Sequence, residues 1–95
     1  MADVTVLLPR MLVPVAGGQS RLTVSVADDA SLRDVVGSLA VSHPALCRRI
    51  VDETGELRRH VNVYVDGEEC RRLAGLATPV GEGTQVQVIG SIAGG

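Results

Sequence analysis

The chain has 95 residues, of which 45% are hydrophobic and 21% charged, and a formal net charge of −2. This is one domain's worth of ordinary globular composition, too apolar for a disordered segment and lacking the basic excess of a phosphate-binding surface. Trp and Phe are absent and Tyr64 is the only aromatic residue, so Val, Leu, Ile and Ala must build the core, and stacking on nucleic-acid bases is disfavoured.

In chain order, Val4, Val6 and Leu8 alternate with Thr5 and Leu7 before Pro9, a period of two that predicts a half-buried strand. The connection from Pro9 to Gln19 carries Pro14 and the turn pair Gly17-Gly18, and its apolar Met11-Leu12-Val13 is expected to pack down in part. Leu22, Val24 and Val26 then predict a second strand, paired with the first as a hairpin. Ser31 stands in the N-cap position of a helix with Asp34 three residues on, a capping box with Asp in place of Glu. Leu32, Val35, Val36 and Leu39 form one apolar stripe on that helix, which should lie across a sheet. Pro44 ends it near Ser42 or His43, and a shorter turn is expected over Ala45–Val51 with Leu46 and Ile50 inward.

Asp52–Arg59 reads as a loop. In "HVNVYVDGEE", Val61, Val63 and Val65 predict a third strand, and Asp66-Gly67 a hairpin turn into a short return at Glu69–Arg71. "LAGLATPV" is broken by Gly75 and Pro79, Gly81-Glu82-Gly83 makes a turn, and Thr84, Val86 and Val88 predict the last strand. The sum is an α+β fold, a mixed sheet of four or five strands with one main helix across a face.

Chemistry-bearing motifs are sparse. His43 and Cys47 are four apart and His60 and Cys70 ten apart, neither of which is a zinc spacing, so no metal site is expected. No triad or pair of carboxylates is legible, and Gly81-Glu82-Gly83 precedes no helix and no Lys, so it is not a phosphate loop. The N-terminus lacks the basic region of a secretory signal, and the least charged stretch, Gly83–Gly95, is too short to cross a bilayer. A cytoplasmic protein off the membrane is expected, with Cys47 and Cys70 as free thiols. All nine basic residues are Arg, and the pairs Arg48-Arg49, Arg58-Arg59 and Arg71-Arg72 are the local basic features.

The last five residues, "SIAGG", follow directly on the final strand. This ending, the order of elements, and the stretches "LLPRMLVPVAGGQ" and "HVNVYVDGEECRRLAGLATPVGEGTQVQVI" resemble the ubiquitin-like β-grasp sulfur carriers of the ThiS/MoaD family. Within it the chain looks most like the actinobacterial carriers of the CysO type that serve cysteine synthesis. The resemblance implies a β-grasp domain over residues 1–90 and a flexible tail over 91–95. It implies that the Gly95 carboxylate is adenylated and converted to a thiocarboxylate, with Gly94, Ala93 and Ile92 entering the partner's active site. The chain would be a protein substrate and carrier with no catalytic residue and no bound cofactor of its own, ATP being used by the partner.

The implied partners are an adenylating enzyme of the ubiquitin-activating type, a rhodanese or sulfide as sulfur donor, and a sulfur-accepting synthase. The recipient pathway stays open among cysteine, molybdopterin, thiamin and thio-metabolites. Docking would use the exposed sheet face near the last strand, where Arg58, Arg59, Arg71 and Arg72 either meet an acidic partner or only solvate the edge. A monomer is expected. The alternatives are a non-covalent β-grasp interaction module with an inert tail, and a ubiquitin-like protein modifier joined to lysines.

Overall fold

The computed structural model describes residues 1–90. Its elements in chain order are β1 (Ala2–Leu7), β2 (Arg21–Val26), α1 (Leu32–Ser42), α2 (Pro44–Ile50), β3 (Val61–Val65), β4 (Glu68–Glu69) and β5 (Gln85–Gly90). The strands form one mixed sheet in the order β2-β1-β5-β3-β4. β1 and β2 pair antiparallel from Ala2↔Val26 to Leu7↔Arg21, the hairpin expected from the alternation. The last strand enters the middle of the sheet, parallel to β1 and antiparallel to β3. The mixed sheet of four or five strands expected from the sequence is thereby present, with five strands.

The alternation of each strand divides the sheet into two faces. Val4, Val6, Leu22, Val24, Val63, Val65, Val86 and Val88 are buried on one face, under α1 and α2. α1 buries Leu32, Val35 and Leu39 of the predicted stripe, with Val36 partly covered. The Asp34 carboxylate accepts the Ser31 backbone N–H at 2.8 Å, so the start of α1 is fixed by the expected cap. Pro44 opens α2, which buries Leu46, Cys47 and Ile50. Part of the long connection after β1 does pack down: Arg10–Ala16 is a 3-10 helix that buries Leu12 and Ala16.

Two details differ from the sequence reading. The return after Asp66-Gly67 pairs over only Glu68–Glu69, and Cys70–Arg72 turns away as a 3-10 helix because Cys70 is drawn fully into the core. The broken segment at 75–77 is a further 3-10 turn that buries Leu76. The hairpin turn itself is as expected: Asp66 and Gly67 both have positive φ, 50° and 87°, the conformation of a two-residue turn matched to strand twist. No helix among the described residues is long and apolar enough to cross a membrane.

Candidate functional site

β5 ends at Gly90, and the predicted tail residues Ile92, Ala93, Gly94 and Gly95 lie outside the described residues. The structure does place the surface from which they continue. On one flank β1 runs parallel to β5 with Leu7 opposite Gln87, which brings the segment after β1 alongside the end of β5. There Pro9, Arg10, Met11, Ile89 and Gly90 line a largely apolar depression of about 400 Å³. Met11 is 48% exposed and Ile89 39%, and of the exposed large apolar side chains among the described residues these two line one depression together. A Cβ on Gly90 would lie 3.3 Å from the Met11 sulfur, so glycine permits the close approach of the two segments.

On the other flank β3 runs antiparallel, with Val61 opposite Gly90 and Asn62 opposite Ile89. The Asn62 Oδ1 accepts a hydrogen bond from Arg71 Nη1 at 3.3 Å. Arg71 Nη2 donates to the Arg58 carbonyl at 3.0 Å, and Arg58 Nε donates to the Arg48 carbonyl at 2.8 Å. Arg58 and Arg71 therefore knit the loop before β3 to the segment after β4, beside the root of the tail. Arg71 also lies 3.5 Å from the Glu69 carboxylate, a half-exposed ion pair of little energetic weight. Arg59 and Arg72 are exposed next to them. Cross-strand partners share a face, so Leu7, Gln87, Tyr64, Asn62 and Ile89 together form the outer surface that leads to Gly90.

Met11, Arg10 and Pro9 are the residues that sequence reasoning did not assign to this surface. Only the β1–β5 adjacency brings them there, and nothing in local periodicity announces it.

The remaining reactive side chains sit elsewhere. Cys47 is 8% exposed and its thiol lies 3.7 Å from the Val36 carbonyl; burial pushes its pKa up, with Arg48 opposing. Burial, then the Glu69 carboxylate, raises the Cys70 thiol in the same way. Both are held as neutral thiols, poor nucleophiles near neutral pH. His43 Nδ1 lies 2.9 Å from the Ser42 hydroxyl at the end of α1. Among the described residues, no three or more His, Cys, Asp or Glu side chains gather where one metal ion could be held.

The ThiS family pattern matches residues 6–95, nearly the whole chain and including the terminal glycine pair. The chain belongs to the ThiS family. Among its relatives, the sulfur carrier protein CysO of Mycobacterium tuberculosis is 37% identical over 95 residues, which cover 98% of this chain and 99% of CysO. The crystal structure of small archaeal modifier protein 1 from Haloferax volcanii superposes with a TM-score of 0.84 at 31% identity, covering 99% of this chain and all of the other. A CysO crystallised in complex with BexX from Amycolatopsis orientalis is 30% identical, with a TM-score of 0.82 over 97% of this chain and 99% of that one. This ThiS-family chain thus stands among sulfur carriers and ubiquitin-like modifiers, the resemblance drawn from its sequence.

Proposed function

We propose that this ThiS-family chain carries sulfur on its C-terminal Gly95. The observation that supports the reading best is the family match running through Gly94-Gly95, immediately beyond a β5 whose end is flanked by exposed apolar and basic residues. A C-terminal carboxylate has a pKa of about 3.3 to 3.7, so at neutral pH it is an anion and a poor electrophile. An adenylating enzyme of the ubiquitin-activating type would join it to the α-phosphate of ATP, releasing pyrophosphate and forming an acyl-adenylate. Sulfide then displaces AMP and leaves the thiocarboxylate directly, whereas the persulfide of a rhodanese displaces AMP to form an acyl disulfide that a thiol reductant cleaves to the same thiocarboxylate.

Residues without a Cβ suit a terminus that must thread a narrow nucleotide site, which is the role of Gly94 and Gly95, with Ala93 and Ile92 as the lead into it. The chain acts as a substrate in these steps and binds no cofactor, ATP being the partner's. Its contribution is to present the tail from a rigid sheet: the outer face around Leu7, Met11 and Ile89 docks, and β5 aims. The BexX complex of a relative supports action by docking on a second protein. A synthase would finally accept the sulfur, with cysteine formation the pathway favoured by the CysO relative. The setting is cytoplasmic and the carrier a monomer.

The test is an intact mass spectrum after incubation with the host's adenylating enzyme, ATP and sulfide, beside a variant lacking Gly95. Exchange of one oxygen for sulfur in the full-length chain alone is the expected result. No exchange, with the enzyme active on another carrier, overturns the reading. The modifier relative favours a second use of the same activated terminus, joining to lysine amines. Gly95 isopeptides on host proteins would mark that use.

A further inference from the structure

A net charge of −2 conceals a strong separation of charge along the sheet. The strand directions define two ends. At one, β1 and β5 finish while β2 and β3 begin, and the tail departs. Arg21 starts β2 opposite Leu7 at this end, Arg10 borders the depression beside Gly90, and Arg58 and Arg59 precede β3. Arg71 reaches the same end through its bond to the Arg58 carbonyl. At the other end stand Asp3, Asp28, Asp29, Asp34, Asp66, Glu68 and Glu82, with Arg33 and the chain's amino group as the cations. Contacts join these acids to one region: the Asp3 N–H donates to Glu82 at 2.8 Å, the Gln85 N–H to Asp66 at 2.9 Å, and the terminal amine lies 3.1 Å from Asp28.

A six-residue strand spans about 20 Å, whereas charges are screened over about 8 Å at physiological ionic strength. A partner approaching the tail therefore meets the arginines and not the distant carboxylates. The exceptions at the tail end are Glu69, beside Arg71, and the Asp52, Glu53 and Glu56 loop after α2, where the Asp52 carboxylate is turned onto the Thr54 and Glu56 N–H groups. The guanidinium groups of Arg58 and Arg71 are held by main-chain carbonyls, which fix them without cancelling their charge. Their ordering is complete before any partner arrives, so less entropy is lost on binding. The exposed Met11 and Ile89 lie inside this basic rim, an apolar centre within a polar border as in protein interfaces.

We propose that the arginine collar around the root of the tail docks on an acidic protein surface bordering the mouth of the adenylating enzyme's nucleotide site, the acidic far end lying too far away to oppose it. This rests on the sulfur-carrier reading and names the chemistry of its first partner. A protein is favoured over nucleic acid because the basic groups surround apolar side chains and the described face offers only Tyr64 for stacking.

The test measures kcat/KM for carrier-dependent ATP–pyrophosphate exchange by the host's adenylating enzyme, as a function of salt and in charge-reversed carriers. Electrostatic steering changes association by roughly 10- to 1,000-fold and weakens with ionic strength. The double variant Arg10→Glu, Arg59→Glu should therefore lose about tenfold or more in kcat/KM, with kcat nearly unchanged and little dependence on salt. Asp28→Arg, Asp29→Arg should change it less than about twofold at physiological salt. Thermal melting of each variant establishes that the sheet is intact. If the wild-type chain is activated but its kcat/KM ignores both salt and the Arg10, Arg59 reversal, the collar is overturned and the carrier reading stands. If the wild-type chain supports no exchange and gains no sulfur, both fall. Tight binding of single-stranded RNA by the wild-type chain, lost in the Arg variant while exchange is kept, overturns the choice of an acidic protein.

Discussion

A methyl group placed on Gly90 meets the Met11 sulfur 3.3 Å away, yet Met11 is half exposed and its unbranched side chain moves aside easily. Gly90→Ala is therefore expected to cost less than about 1 kcal/mol, read as a small shift of the denaturant midpoint. Its larger effect should fall on docking, because the displaced Met11 refills the depression beside the tail. Asp52 gives a second prediction at this scale. Its carboxylate accepts N–H groups from Thr54 at 2.9 Å and Glu56 at 3.2 Å, and the Thr54 hydroxyl and backbone bonds hold its pKa below the usual carboxylate value. A pKa lowered by folding stabilises the native state above the unfolded value, near 3.9, and that contribution is lost as pH falls through the folded value. Replacing Asp52 by Asn should flatten the acid limb of the stability profile; an unchanged difference between pH 7 and pH 3 midpoints would count against it. Cys47 and Cys70, buried and held neutral, should resist alkylation at neutral pH until the chain is unfolded.

At the scale of elements, the cap of α1 and the floor beneath α2 give separable effects. Asp34→Ala removes the acceptor of the Ser31 N–H and should cost about 1 kcal/mol, whereas Leu46→Ala empties a fully buried position and should cost about 2–5 kcal/mol. Chemical denaturation of the two variants checks the order. Those features were legible because each is local: the Ser31/Asp34 spacing, the Leu32–Leu39 stripe and the Asp66-Gly67 pair each need only a few neighbouring residues. The truncated β4 was not, because Cys70 leaves the ladder to fill a space in the core that only the assembled sheet creates. The surface around Gly90 failed to show for the same reason. Arg10 and Met11 join Ile89 through the parallel β1–β5 pairing, which no short window of sequence contains. The arginine pairs stood out in the sequence, but whether they were loose or anchored depended on the carbonyls of Arg48 and Arg58.

At the scale of the molecule, the strand pairs and buried core described here all lie within residues 1–90, so removing Gly94-Gly95 should leave the melting temperature nearly unchanged while abolishing thiocarboxylate formation. Loss of both together would place the tail among the structural parts of the fold. The position of β5 has a consequence for how the protein is made. β1 and β3 do not touch each other in the sheet, and β5 is the strand that joins them. A ribosome moving from the first residue to the last delivers two unconnected hairpins and supplies the strand that unites them only at the end. A chain stalled or clipped before β5 has no finished sheet face to offer a partner and exposes its unpaired inner strands to proteases instead. Placing the closing strand last among the described elements thus makes the finished sheet, and the surface around Gly90, depend on synthesis having run through β5.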